Sequence, residues 1–139
     1  MSAKIVYDMS AMKFMSLFET ITRAKLKDCI IKENLVLFIV HPNEIGKAVG
    51  AKGVNVRKLE KVLNKKVKIV EFSPEPVNFI KNLVHPLKVK EITEEEGIYT
   101  LTPVDLKTRG LLIGRNASHL RAYEDVVKRY FPVKELKVI

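Results

Sequence analysis

Apolar positions along the chain switch from a helical to an extended period and back, and the switches predict a series of short elements. Phe14, Leu17, Phe18 and Ile21 stand at i, i+3, i+4 and i+7, one face of a helix that Asp8 or Ser10 can cap. Residues 26–32 read as a strand whose apolar pattern is diluted by Lys27 and Asp28. After a turn at Glu33-Asn34, residues 35–40 are apolar throughout, as in a strand buried on both faces. Asn43 is placed to cap a short helix that buries Ile45, Ala48 and Val49. Val56, Leu59, Val62 and Leu63 carry another helical stripe, and residues 67–72 form a third strand. Ser73-Pro74-Glu75-Pro76 closes this unit, since proline discourages both pairing and helix.

The order then repeats. Val77, Ile80 and Val84 predict a helix ending near His85-Pro86, and strands at 87–92 and 98–102 are joined by a hairpin loop over 93–97. Leu106, Arg109, Gly110 and Ile113 give one helical period, and Leu120, Tyr123, Val126, Val127 and Tyr130 the next. A last strand covers 133–138. Both halves read helix-strand-strand-helix-loop-helix-strand, which predicts an α/β (α+β) chain of two small units, residues 1–73 and 74–139. Met9, Met12 and Met15 belong with Phe14 and Phe18 to the expected core, as does Cys29.

The informative breaks fall between paired helices. Gly50-Ala51-Lys52-Gly53 interrupts the first pair, and its two glycines let another chain lie against the backbone and open dihedrals closed to other residues. The helix that follows presents its N-terminus to anions, with Arg57, Lys58, Lys61 and Lys65 among its polar positions. Gly114-Arg115-Asn116-Ala117 interrupts the second pair, with alanine in the place of the last glycine. Alanine suits a first helical turn, so the fold is expected to tolerate the change while close backbone contact suffers.

Charge sharpens the picture. Lys and Arg number 25 against 16 Asp and Glu, for a net +9 and a pI of about 9.7, which suits a polyanionic partner as well as a solvated basic surface. Residues 1–73 hold 14 basic and 7 acidic residues and 74–139 hold 11 and 9, so the excess lies with the intact glycine loop. A single cysteine fits a reducing compartment, no apolar stretch approaches a membrane span, and the N-terminus lacks a signal-peptide pattern; the cytoplasm is expected.

The glycine loop between helices, flanked by strands and present twice, resembles the KH domain, whose loop clamps about four backbone nucleotides. One helix and two strands ahead of the loop-bearing pair make each half similar to the type II form. The resemblance implies that bases lie in an apolar groove beside the loop, with Ile45, Val49 and Val54 helping to line it. Gly50 and Gly53 would permit close approach at Ala51, Lys52 would neutralise phosphate, and Lys47, Arg57, Lys58 and Lys61 would capture the strand electrostatically. In the second half Gly114, Arg115, Asn116 and Ala117 would stand at the corresponding loop. Two such units filling the chain resemble the archaeal NusA-like transcription factors, which implies single-stranded RNA as ligand and RNA polymerase as a further partner. The length leaves no room for the polymerase-binding region and OB-fold of larger bacterial relatives.

Other chemistries fit less well. The glycines do not form a nucleotide-binding P-loop, since valine follows Gly53 where a metal-binding hydroxyl is needed. His41, His85 and His119 are far apart and lack metal-ligand spacing, so they read as surface residues. Glu94-Glu95-Glu96 reads as a solvated hairpin tip. No nucleophile-base pair stands out, so neither catalysis nor a cofactor is expected. The remaining alternatives are a helix-turn-helix module on duplex DNA and a ribosome-assembly or scaffold protein.

Overall fold

The first helix, α1 (Met9–Thr22), starts at Asp8, whose carboxylate accepts the Ala11 N–H at 2.8 Å. A computed structural model describes residues 7–139. After α1 come β1 (Leu26–Ile31), β2 (Leu35–Val40), α2 (Ile45–Val49), α3 (Val54–Leu63) and β3 (Lys66–Glu71). β2 is the central strand, antiparallel to β1 and parallel to β3. Its Val36, Phe38 and Val40 join Phe18 of α1, Ala48 of α2 and Leu59 of α3 in one core, where the Phe18 and Phe38 rings stack at 4.4 Å. Leu37 and Ile39 point to the opposite face and are buried too, so the unbroken apolar run of β2 is buried on both sides. The polar interruption at Lys27 and Asp28 is a β-bulge in β1. Asp28 is fully buried there, accepting from the Tyr7 hydroxyl and from the Cys29 N–H.

The same order follows from Pro76 onward: α4 (Pro76–Val84), β4 (Val89–Glu95), β5 (Ile98–Pro103), α5 (Leu106–Ile113), α6 (Ser118–Lys128) and β6 (Glu135–Val138). β5 is central, antiparallel to β4 and parallel to β6. Phe79, Leu83, Leu101, Leu112, Val127 and Leu136 are buried, and Phe79 meets Tyr130 edge-on at 5.4 Å. The chain divides into two compact units at Ser73–Pro74, each an α/β layer of one three-stranded sheet and three helices.

A glutamate ties the last strand to the last helix in each unit. Glu60 of α3 accepts the Val67 N–H at 3.0 Å, and Glu124 of α6 accepts that of Leu136 at 2.9 Å. Glu124 is buried and also meets Arg121 at 2.9 Å and Lys128 at 3.6 Å.

Several expectations need correcting. Met9 and Met12 are 82% and 57% exposed, because only the Phe14–Met15–Phe18 side of α1 faces the core. Val62 is 53% exposed, since Val56, Leu59 and Leu63 already form the inward stripe of α3. Asn43 does not cap α2: it takes a positive φ of 70° and donates its N–H to Glu71. Pro76 ends nothing, as it occupies the first turn of α4, where its missing N–H is harmless. Glu96 and Gly97, both at positive φ, make a two-residue turn, so residues 93–95 extend β4 and are not part of a loop. In α5 Leu112 turns inward while Leu106 is 85% exposed at the first turn.

Candidate nucleic-acid interface

The loop between α2 and α3 is built from backbone conformations that few residues tolerate. Gly50 sits at φ 78° and ψ 169°, a region essentially reserved for glycine. A Cβ at Gly50 would also come within 2.9 Å of the Asn55 and Val54 side chains. Lys52 and Gly53 follow in the left-handed region at φ 54° and 73°. Backbone bonds close the turn, Gly50 N–H to the Gly46 carbonyl at 3.0 Å and Gly53 N–H to the Gly50 carbonyl at 3.1 Å. The result pushes Ala51 and Lys52 into solvent, and no side chain caps the N-terminus of α3.

The side chains singled out in this half come together on this helix-loop-helix. Lys47, Lys52, Arg57, Lys58 and Lys61 are all exposed. Lys47 lies 3.9 Å from Glu44, too far for a strong pair at the surface. Arg57 is tied to the turn: its guanidinium Nη1 donates to the Lys52 carbonyl, which keeps its charge beside the loop. Ile45 packs against the core, Val49 is half-buried, and Val54 is 47% exposed at the start of α3.

The second loop, in the other unit, repeats this backbone with other residues. Gly114 takes φ 72° and ψ 173°, and Asn116 and Ala117 follow at φ 55° and 60°. Here the expected first-turn helical conformation of Ala117 is corrected, because the residue precedes α6 in the left-handed region. A Cβ on Gly114 would lie 2.9 Å from the His119 backbone nitrogen and 2.6 Å from its ring. Arg115 and Asn116 are exposed.

Equivalent positions lie 64 residues apart, and at that spacing Lys47, Lys52, Lys58 and Lys61 become Leu111, Asn116, Ala122 and Asp125. Arg57 becomes Arg121, which turns from the loop to Glu124 and to the Leu136 carbonyl at 3.3 Å. The second loop keeps the shape and loses most of the charge. α5 ahead of it is capped by Asp105, which accepts the Thr108 N–H at 2.7 Å. That bond and the Thr108 side chain hold the Asp105 carboxyl below the usual carboxylate range, with Lys107 adding to the effect.

From the sequence the side chain of Asn55 draws no notice and that of His119 reads as a plain surface group. Each bonds across its loop to a main-chain carbonyl, so His119 is more than a plain surface residue. The available signal was a hydrogen-bond donor five positions after the first glycine in both copies. Among the described residues no cluster of His, Cys, Asp or Glu is arranged to hold a metal ion. Among the same residues no helix is long and apolar enough to cross a membrane.

A helix and two strands, then a left-handed glycine turn between two helices and a closing parallel strand, define a type II KH module. The KH domain family model matches residues 15–97, which include the first loop, and the chain belongs to that family. Among curated proteins it is 28% identical over 125 residues to the probable transcription termination protein NusA of Methanocaldococcus jannaschii, covering 88% of this chain and 68% of that one. It is also 28% identical over 131 residues to the protein of the same name from Halococcus morrhuae, covering 93% and 94%. The crystal structure of APE1850 shares the fold, with a TM-score of 0.75 and 24% identity over 96% of this chain and 100% of that one.

Proposed function

We propose that this chain is a NusA-like transcription factor that binds single-stranded RNA through tandem KH domains, residues 1–73 and 74–139, with the first dominant. The exposed turn at Ala51 and Lys52, left-handed at Lys52 and Gly53 and set among Lys47, Arg57, Lys58 and Lys61, carries the reading. Glycines at its two ends leave the backbone open to a phosphate chain, and the surrounding cations draw it in. Ile45, Val49 and Val54 offer apolar surface to the bases next to the loop. Gly114, Arg115, Asn116 and Ala117 make a weaker second contact, in keeping with their unit's smaller net charge. The factor acts by binding and not by catalysis, in the cytoplasm, where RNA polymerase supplies the nascent strand and is its second partner. Relatives named for transcription termination support that setting. Fluorescence anisotropy with single-stranded RNA, single-stranded DNA and duplex DNA tests the reading. Tightest binding is expected for the single-stranded RNA, and a duplex preference would contradict it.

A further inference from the structure

Two residues beyond each loop, a side chain reaches back over the turn to the helix before it. Asn55 Nδ2 donates to the Lys47 carbonyl at 3.0 Å, and His119 Nδ1 lies 2.8 Å from the Leu111 carbonyl. Donors and acceptors are both 64 positions apart, the spacing that relates Gly50 to Gly114 and Gly53 to Ala117. A carbonyl oxygen only accepts, so Nδ1 of His119 must carry the proton. Lys47 and Leu111 stand near the ends of α2 and α5, where carbonyls lack a partner further along the helix.

The same side chains lie over the first glycine of each loop. Asn55 Nδ2 is 2.9 Å from where a Gly50 Cβ would stand, and the His119 ring carbon Cγ is 2.6 Å from the corresponding point at Gly114. Glycine and donor thus form one device, in which the missing side chain makes room for the bond. Asparagine and histidine are residues of different kinds, but each presents an N–H at this point.

We propose that Asn55 and His119 are the positioning residues of the two loops, fixing the angle between the paired helices so that the exposed turn is shaped before RNA arrives. This rests on the RNA-binding reading above. A loop left to order itself on binding would lose affinity to that ordering.

The test pairs Asn55→Leu, which keeps the bulk without the donor, with Asn55→His, which installs the second loop's own solution. Affinity for single-stranded RNA should fall about tenfold in Asn55→Leu, the effect of one hydrogen bond, and return to within about twofold of wild type in Asn55→His. Amide hydrogen exchange at Ala51–Gly53 should quicken in the first variant and not in the second. Wild-type affinity and exchange in Asn55→Leu would overturn the proposal, and so would failure of Asn55→His to restore them. A wild type that binds no RNA would sink the functional reading instead, and loop exchange would still decide the brace. Should Asn55→Leu not fold, His119→Leu and His119→Asn, read by exchange at Arg115–Ala117, decide it with the same two outcomes.

Discussion

Ala117 holds the backbone conformation of Gly53, at φ 60° and ψ 23° against 73° and 21°. A left-handed conformation costs an L-residue about 1–2 kcal/mol, and glycine avoids that strain while giving back part of it through a freer unfolded chain. Ala117→Gly should therefore stabilise the protein by roughly 0.5–1 kcal/mol. At the first loop a Cβ on Gly53 meets nothing closer than Arg57 Nη1 at 3.5 Å, so Gly53→Ala should destabilise through strain alone, by about 1 kcal/mol. Urea unfolding of both variants checks the pair, and effects of the same sign would contradict the equivalence.

Glu124 does more for stability than its counterpart Glu60. Removing its carboxylate leaves the buried Leu136 N–H without its acceptor and separates Arg121 and Lys128 from their shared partner. Glu124→Leu should cost about 2–4 kcal/mol. Glu60 is half-buried and serves the Val67 N–H with no ion pair among its described contacts, so Glu60→Leu should cost about 1 kcal/mol. Chemical denaturation midpoints give the comparison.

The Asp105 cap sets an acid limit for the start of α5. Its carboxyl is depressed by the Thr108 backbone N–H, so the cap's contribution is complete above the ordinary Asp value and fades as pH falls through the lowered one. The Thr108 amide resonance should titrate with a midpoint below about 3.9, the unperturbed Asp value. A midpoint at or above that value would refute the assignment.

RNA affinity should fall steeply with salt. A single strand contributes a slope of about −0.7 in log K against log salt for each neutralised phosphate, so engagement of all five first-loop cations gives about −3.5. Lys52→Ala should flatten the slope by roughly one phosphate's share, about 0.7. A nearly flat wild-type slope would remove the electrostatic part of the account.

Much of the fold could be read from the pattern of apolar residues. The β2 run and the Phe14, Phe18 and Ile21 face of α1 lie where that pattern puts them, because strands and helices with a strong period leave few alternatives. What stayed hidden was local geometry set by single contacts. The left-handed angle of Ala117 cannot be inferred from alanine's helix preference, since the loop closure before α6 imposes it. Arg57 and Arg121 read alike in sequence, yet one turns to the Lys52 carbonyl and the other to a buried Glu124. The Asn55 and His119 braces escaped notice because a shared donor role ties together two residues of different kinds.

The most direct measurement is fluorescence-anisotropy binding of single-stranded RNA to the double variant Ala51→Asp with Lys52→Asp. Met12→Asp with Lys13→Asp serves as the control, making the same charge change at exposed positions of α1, an element given no RNA contact. Circular dichroism first establishes that both are folded. Binding abolished by the loop variant and largely kept by the control is the predicted result. Equal affinities in the two would mean that the turn between α2 and α3 does not hold the RNA.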